Sequence, residues 1–515
     1  MDFFFLPSWV VVVLVVAVLT IIYLHYSWDN RRKFGLPGPT PLPLLGHMVD
    51  LMKNGLCDFD LNVTKTYGNT VALSSGMFFN FLGDIMITDP EMLKEVMVKQ
   101  ASVFTDRNTD PDIEISPVDK SVFAVRGEQW KQMRSTLTPT FSSGKLRHME
   151  AMILKCANTL IENLKKKAKA GESFDNKIWG WFTMDVICTT AFGVEVDSLN
   201  NPNHPFVKNA EKANNISLAD PVVFLMFFAP RLVKKLSPIL RHVPGFRGVL
   251  GSFQFFGETT KALLDVRKQA QEGHYNDFLQ LMLTAHTMST SDLGDDEKEV
   301  AKWKKKALTT DEIAGNGIIF FIAGFGTAND TLGFTTYLLA THPEIQQRLI
   351  QEIDDVLQGA EPTYDTVSKL GYLEQVLNES MRLYPVGIRV DRVANQDTTV
   401  NGLFIPKGTA VAIPIYAIHM DPEKYPDPEK FDPERFTPEE KAKRNPYWYM
   451  PFGVGPRNCI GMRLALLEMK IIIVKVLQNF TLKTCAETQV PLVLSKSNPM
   501  KPEKPIILKV EERFV

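Results

Sequence analysis

Apolar residues are arranged along this chain in three patterns, and each predicts a different element. From Phe3 to Leu24 there are 22 residues without a charge, nearly all apolar, long enough as a helix to cross the ~30 Å hydrocarbon layer of a bilayer. Asp2 precedes the stretch where a cleaved leader would carry basic residues, and no small-residue cleavage site lies before Arg31-Arg32-Lys33. It therefore reads as a retained anchor whose basic flank stays on the cytosolic side. Pro37-Gly38-Pro39-Thr40-Pro41-Leu42-Pro43 predicts a stiff hinge after it. Farther on, Thr310 to Thr341 predicts one long buried helix, opened by a capping box at Thr309-Thr310-Asp311-Glu312 and stopped by Pro343. Its interior holds Gly315, Gly317, Gly324, Gly326 and Gly333. Each costs about 1 kcal/mol relative to alanine, so something close beside the helix must compensate. Met462 to Phe480 predicts a third, apolar-rich helix.

Composition narrows the class. Past the first 45 of 515 residues there is no Gly/Ser-rich or proline-rich linker, low-complexity tract or internal repeat, so one large domain with a smaller β-rich portion is expected. A hydrophobic share of 45% supplies a sizeable core, and a net charge of −2 argues against general nucleic-acid binding. Five cysteines, with no C-x-x-C spacing, indicate neither a disulfide framework nor a zinc site.

One of those cysteines stands apart. Phe452-Gly453-Val454-Gly455-Pro456-Arg457-Asn458-Cys459-Ile460-Gly461 surrounds Cys459 with turn formers that let the backbone run close under a flat cofactor. The following helix places unpaired N–H groups and a positive dipole end near the sulfur, which favours a thiolate. This is the setting that a thiolate ligand of haem iron requires.

The loop resembles the haem-binding signature of the cytochromes P-450, the haem-thiolate monooxygenases, and the likeness extends from Pro37 to the C-terminus. Glu379-Ser380-Met381-Arg382 and Phe431-Asp432-Pro433-Glu434-Arg435-Phe436 resemble the family's structural Glu/Arg/Arg network. Trp130-Lys131-Gln132-Met133-Arg134 resembles its C-helix motif, and Ala323 to Thr327 the oxygen-binding part of the long helix. Phe404-Ile405-Pro406-Lys407-Gly408 and Asn458-Cys459-Ile460-Gly461-Met462-Arg463 are most similar to the animal microsomal branch of three-A drug- and steroid-oxidising enzymes, with thromboxane synthase nearby.

The resemblance implies the cytochrome P-450 fold, mainly α with a smaller β-rich portion: an anchor over residues 1–30, a basic and proline-rich hinge over 31–45, and a haem-thiolate catalytic domain over 46–515. It implies haem b with Cys459 as the iron ligand, Phe452 in the cofactor-binding loop, and Arg107, Trp130, Arg134, Arg392 and Arg457 toward the propionates. Thr327 would stand over the iron where the long helix is locally distorted, with Gly324 and Gly326 toward the haem. The chain lacks a convincing flavin or nicotinamide fingerprint, so electrons are expected from a membrane-bound NADPH-cytochrome P-450 reductase, with cytochrome b5 as a second candidate donor. Docking would use a basic face with Lys131, Arg134, Lys145, Arg147, Lys441, Lys443 and Arg444. A lipophilic substrate would contact 111–123, 220–230, Phe320, Phe321, Ala323 and 386–388, at the membrane of the endoplasmic reticulum. The acid that usually precedes the family's threonine is replaced by Gly326. Asp330 is then a candidate substitute acid, and two other readings stay open: a haem-thiolate isomerase or lyase of lipid peroxides, and a non-catalytic haem-binding protein.

Overall fold

The computed structural model describes residues 7–43, 45–75, 83–108, 116–215, 233, 235–236, 244–269, 277–291, 308–498 and 500–513. Ten of its longer helices carry the argument below: α1 (Ser8–Trp28), α2 (Gly127–Leu137), α3 (Ser143–Ala170), α4 (Lys177–Phe192), α5 (Pro205–Asn214), α6 (Pro244–Gln269), α7 (Phe278–Ser291), α8 (Thr310–Thr341), α9 (Gly371–Leu383) and α10 (Met462–Asn479). The strands are β1 (Thr70–Ala72), β2 (Ile85–Ile87), β3 (Phe174–Asp175), β4 (Val390–Val393), β5 (Thr398–Val400), β6 (Leu403–Ile405), β7 (Ala410–Ile413), β8 (Phe480–Lys483) and β9 (Ile507–Glu512). The molecule is thus mainly helical with small sheets, as expected.

Helix α8 organises the body. Its capping box forms as the sequence predicts: the Glu312 N–H donates to Thr309 Oγ1 at 3.2 Å, and the Thr309 N–H donates to Glu312 Oε2 at 2.7 Å. The helix packs against α4 and α6, and its glycines explain how closely. A Cβ on Gly315 would stand 2.2 Å from the Pro117 carbonyl oxygen, and one on Gly317 2.3 Å from Thr260 Oγ1. The core around α8 is rich in stacked rings: Phe321 lies 3.8 Å from Phe192 and 4.9 Å from Phe256 between centroids.

The larger sheet has the order β1-β2-β7-β4, with β2 and β7 parallel and the other pairs antiparallel. A smaller sheet runs β3-β9-β8, and β5 pairs with β6. Alternation on β2 and β7 feeds a second core cluster around Ile85, Ile87, Val411 and Ile413, separate from the main helical core.

At the N-terminus, α1 is a 21-residue helix whose side chains at Val11–Val16, Val18, Leu19, Ile22 and Tyr23 are exposed. Among the described residues α8, with 32 residues, is the one helix long and apolar enough to span a bilayer, and it is mostly buried inside the protein; the apolar part of α1 is the shorter run Val10–Thr20. The chain reaches the body at once after α1. Asn30 Nδ2 donates to the Leu73 carbonyl at 2.6 Å and to Asp84 Oδ1 at 2.9 Å. The proline-rich stretch also lies against β1, where the Ala72 N–H donates to the Pro37 carbonyl at 2.9 Å.

Candidate active site

The cysteine loop is closed by its own backbone. The Cys459 N–H donates to the Phe452 carbonyl at 2.8 Å, the Asn458 N–H to Gly455 at 3.1 Å, and the Gly453 N–H to Met450 at 2.9 Å. Gly453 and Gly455 have φ of +68° and +75°, where a side chain is strained. Gly455 is doubly constrained, because its Cβ would lie 1.9 Å from the Met97 carbonyl oxygen in the π-helical turn Glu95–Lys99. Phe452 packs on the main core and fixes the loop's other end.

Cys459 precedes α10, whose N-cap is Gly461. Its side chain is exposed on one side and crowded by protein on the others. That crowding raises the thiol pKa, while the N–H groups of Gly461 and Met462 and the guanidinium groups of Arg134 and Arg107 act in the opposite direction. A ligand cation at the sulfur would add to the opposing set.

Four arginines cluster beside this loop. Arg457 is buried and donates from Nε to the Thr105 carbonyl at 2.8 Å, from Nη1 to Val122 at 3.1 Å and from Nη2 to Val125 at 2.8 Å. Its guanidinium lies 4.2 Å from the ring centre of the buried Trp130 on α2. Arg134, one turn further along α2, donates to Asn458 Oδ1 at 2.9 Å. Arg392 on β4 donates to the Asp391 carbonyl at 2.7 Å. Arg107 lies 4.2 Å from the Phe123 ring centre, and its buried Nε has no partner.

These cations are electrostatically unsatisfied. Burial, then Arg107 and Arg392, push Arg457 down to about 9; burial, then Arg107, push Arg392 down to about 10. Burial also lowers Arg107 and Arg134. The carboxylates acting on the cluster are Asp106 and Asp391. Four guanidinium groups against two carboxylates leave an excess of two positive charges. Guanidinium has five N–H donors, of which Arg457 uses three. A flat ligand with two carboxylates and an iron near Cys459 fits both the charge excess and the orphaned Arg107 donor.

On α8, Ala323 and Thr327 are exposed although most of the helix is buried. The Thr327 hydroxyl donates to the Ala323 carbonyl at 2.7 Å. The expected local distortion is absent: α8 runs as one α-helix from Thr310 to Thr341. The expected haem face on Gly324 and Gly326 is also corrected. A Cβ on Gly324 would meet the Ile187 side chain at 3.1 Å, and one on Gly326 would meet Asn214 Oδ1 at 2.1 Å. Close helix packing accounts for both glycines. Asn214 on α5 donates to the carbonyls of Ala210 and Ile322 at 3.0 and 3.2 Å, seating its amide against α8.

Phe320 and Phe321, expected to line the pocket, belong to the core. Phe320 lies 4.1 Å from Phe278, and Phe321 joins the stack described above. Residues 220–230 and 111–115 lie outside the described residues. The expected basic docking face is largely paired: Lys131 with Glu128 at 3.2 Å, Arg147 with Asp365 at 2.7 Å, Lys441 with Glu374 at 2.9 Å and Lys443 with Glu440 at 2.6 Å.

The Glu/Arg/Arg network forms as expected and acts on the loop from behind. Arg382 donates from Nε and Nη2 to Glu379 at 2.7 and 2.8 Å, with both side chains fully buried. Arg435 Nε lies 3.4 Å from Glu379 Oε1. His419, which no sequence motif singled out, links this network to the loop. Its Nε2 accepts the Met450 N–H at 3.2 Å, so Nδ1 carries the proton and faces the Arg382 carbonyl at 3.2 Å.

A thiol at a helix start, a cluster of four arginines with an excess of positive charge and an exposed threonine on a long buried helix fit a haem-thiolate enzyme. Residues 36–510 match the family model described as Cytochrome P450. The chain is 42% identical to Cytochrome P450 3A41 of Mus musculus over 99% of its length and 97% of the relative's. It is 42% identical to Cytochrome P450 3A2 of Rattus norvegicus with the same shares covered, and 41% identical to Cytochrome P450 3A6 of Oryctolagus cuniculus over 100% of this chain and 99% of that one. The chain belongs to the cytochrome P450 family. It is a haem-thiolate monooxygenase that takes electrons from a redox partner and acts on a lipophilic molecule.

Proposed function

We propose that Cys459 is the thiolate ligand of haem b, that Arg107, Trp130, Arg134, Arg392 and Arg457 hold its propionates, and that Thr327 faces the reacting oxygen. The observation that carries this reading is the charge excess of the arginine cluster next to the Cys459 thiol. Haem, when bound, supplies reduction and cleavage of dioxygen, one atom of which enters the substrate. The protein's part is to keep the sulfur in place through the closed loop, to neutralise the propionates and to offer an apolar approach along Ala323.

The electron donor we assign is NADPH-cytochrome P-450 reductase, with cytochrome b5 as a second donor. The exposed apolar surface of α1 followed by Arg31-Arg32-Lys33 supports a single N-terminal anchor over residues 1–30 in the endoplasmic reticulum membrane. Residues 31–45 then form the connection and residues 46–515 a cytosolic catalytic domain. The substrate class is a lipophilic xenobiotic, steroid or fatty-acid-like molecule.

Reconstitution with reductase and a panel of such compounds, following product, NADPH and hydrogen peroxide together, tests the proposal. Hydroxylated product in proportion to NADPH supports it. Rearrangement of a lipid peroxide without NADPH, and no NADPH-driven product, would move the assignment to an isomerase.

A further inference from the structure

A monooxygenase consumes protons: RH + O2 + 2 e− + 2 H+ gives ROH + H2O. A hydroxyl such as that of Thr327 can pass a proton along but supplies none in net terms. The residue directly before it, Gly326, is closed off by Asn214. Beyond Asp311 and Glu312 in its first turn, α8 carries one further carboxylate, Asp330.

Its placement is specific. At 3.6 residues per turn, Ala323, Thr327 and Asp330 fall within about 60° of one another around the helix. Asp330 therefore continues the strip on which Ala323 and Thr327 are exposed, and its Cβ lies roughly 5–6 Å from that of Thr327, a gap of the size a single water spans. The Asp330 side chain is 13% exposed and its partner Lys501 29% exposed, so Lys501 is the more solvent-accessible member of the pair. Asn329 Nδ2 donates to Asp330 Oδ1 at 2.9 Å, and Lys501 Nζ stands 3.7 Å from Oδ2. That ammonium separation exceeds the ~2.8 Å of a fully formed charged hydrogen bond. Burial raises the carboxyl's pKa, against the opposing pull of Lys501 and Asn329.

We propose that Asp330 is the positioning acid of this enzyme, delivering protons through Thr327 to the reacting oxygen while Lys501 holds the carboxylate left behind. In each delivery an Asp330 O–H bond breaks, the proton passes by a bridging water and the Thr327 hydroxyl to oxygen, and the carboxylate is reloaded from solvent on the Lys501 side. Over the full reaction the O–O bond and a substrate C–H bond break, C–O and O–H bonds form as the substrate hydrogen passes to the product hydroxyl, and the second oxygen leaves as water with both protons. The electrons come from the redox partner. This inference rests on the assignment of Thr327 to the reaction centre.

The test uses the reconstituted holoenzyme with Thr327→Ala, Asp330→Asn, Asp330→Glu and Lys501→Met. Asp330→Asn is expected to slow product formation about a hundredfold, the lower end of what a placed proton donor contributes, with NADPH electrons diverted to hydrogen peroxide. Asp330→Glu should recover most of the product, and Lys501→Met should lose less than tenfold because the acid remains. Independently of turnover, infrared spectra taken as the pH is lowered should show a protonated carboxyl C=O band that appears above the ordinary aspartate range and vanishes in Asp330→Asn. Coupling unchanged in Asp330→Asn overturns the proposal. So do equal losses in Asp330→Asn and Lys501→Met without rescue by glutamate, which would reduce the pair to a structural tie. In either case Thr327→Ala shows whether the placement of the reaction centre falls with it: if that variant also couples normally, both are wrong.

Discussion

Replacing Glu379 by glutamine keeps the side chain's shape and removes its charge, which makes it a sharp probe of the network behind the cysteine loop. The carboxylate is fully buried, pairs bidentately with an equally buried Arg382, lies 3.4 Å from Arg435 and accepts the Asp432 N–H at 3.1 Å. Burial raises the Glu379 pKa and its arginine partners oppose that shift. Without the charge, two guanidinium groups stay in the interior with their main counter-ion gone. Breaking a buried pair in this way costs about 3–5 kcal/mol, against a total of about 5–15 kcal/mol for a folded domain. The expected result is a denaturation midpoint shifted far down and a reduced, carbon-monoxide-bound spectrum from a small fraction of the purified protein. Arg382 still donates to the carbonyls of His419 and Pro428, so a core remains to be measured by fluorescence-monitored unfolding. A loss below about 1 kcal/mol, the range of a surface pair, would refute the view that this network holds the loop.

Three further outcomes are expected. Cys459→Ala should abolish the red-shifted Soret band of the reduced, carbon-monoxide-bound protein, and an unchanged spectrum would remove Cys459 from the iron. Burial, then Arg382, press His419 from 6.5 down to about 3, so its contribution to stability is complete above pH 6.5 and is lost as pH falls toward 3. In His419→Gln the slope of stability against pH between 6 and 4 should lessen by about 1.4 kcal/mol per unit, and an unaltered slope would count against the neutral ring. Deleting residues 1–28, which spares the Asn30 contacts with Leu73 and Asp84, should release the protein from alkaline-resistant membrane attachment with its haem spectrum intact.

Local signals carried far in this chain. The capping box and Pro343 marked both ends of α8, and the glycines around Cys459 announced a loop that only glycine can build at position 455. The two-arginine network on Glu379 was visible from its motifs. What stayed hidden depended on partners distant along the chain. Gly324 and Gly326 looked like openings toward a cofactor because nothing near them in sequence shows that Ile187 and Asn214 fill the space. Phe320 and Phe321 have a composition that suits either a pocket or a core, and the rings of Phe278, Phe192 and Phe256 decided for the core. The basic residues looked free until Glu374, Asp365 and Glu440 were found beside them. His419 and Lys501 carried no signal, since each matters through contacts made at long range along the chain.

The fit of Asn214 into the hollow left by Gly326 has a consequence for how this enzyme can change. An acid at position 326 would have to enter where an amide oxygen already stands 2.1 Å from the first added carbon, so a variant arising there alone meets a steric barrier before it can offer any chemical gain. Shortening Asn214 first opens the space at the loss of two hydrogen bonds to main-chain carbonyls. The two positions are therefore coupled: an acid beside Thr327 requires the Asn214 side chain to move or shorten, and residue 214 sets how much such a change costs.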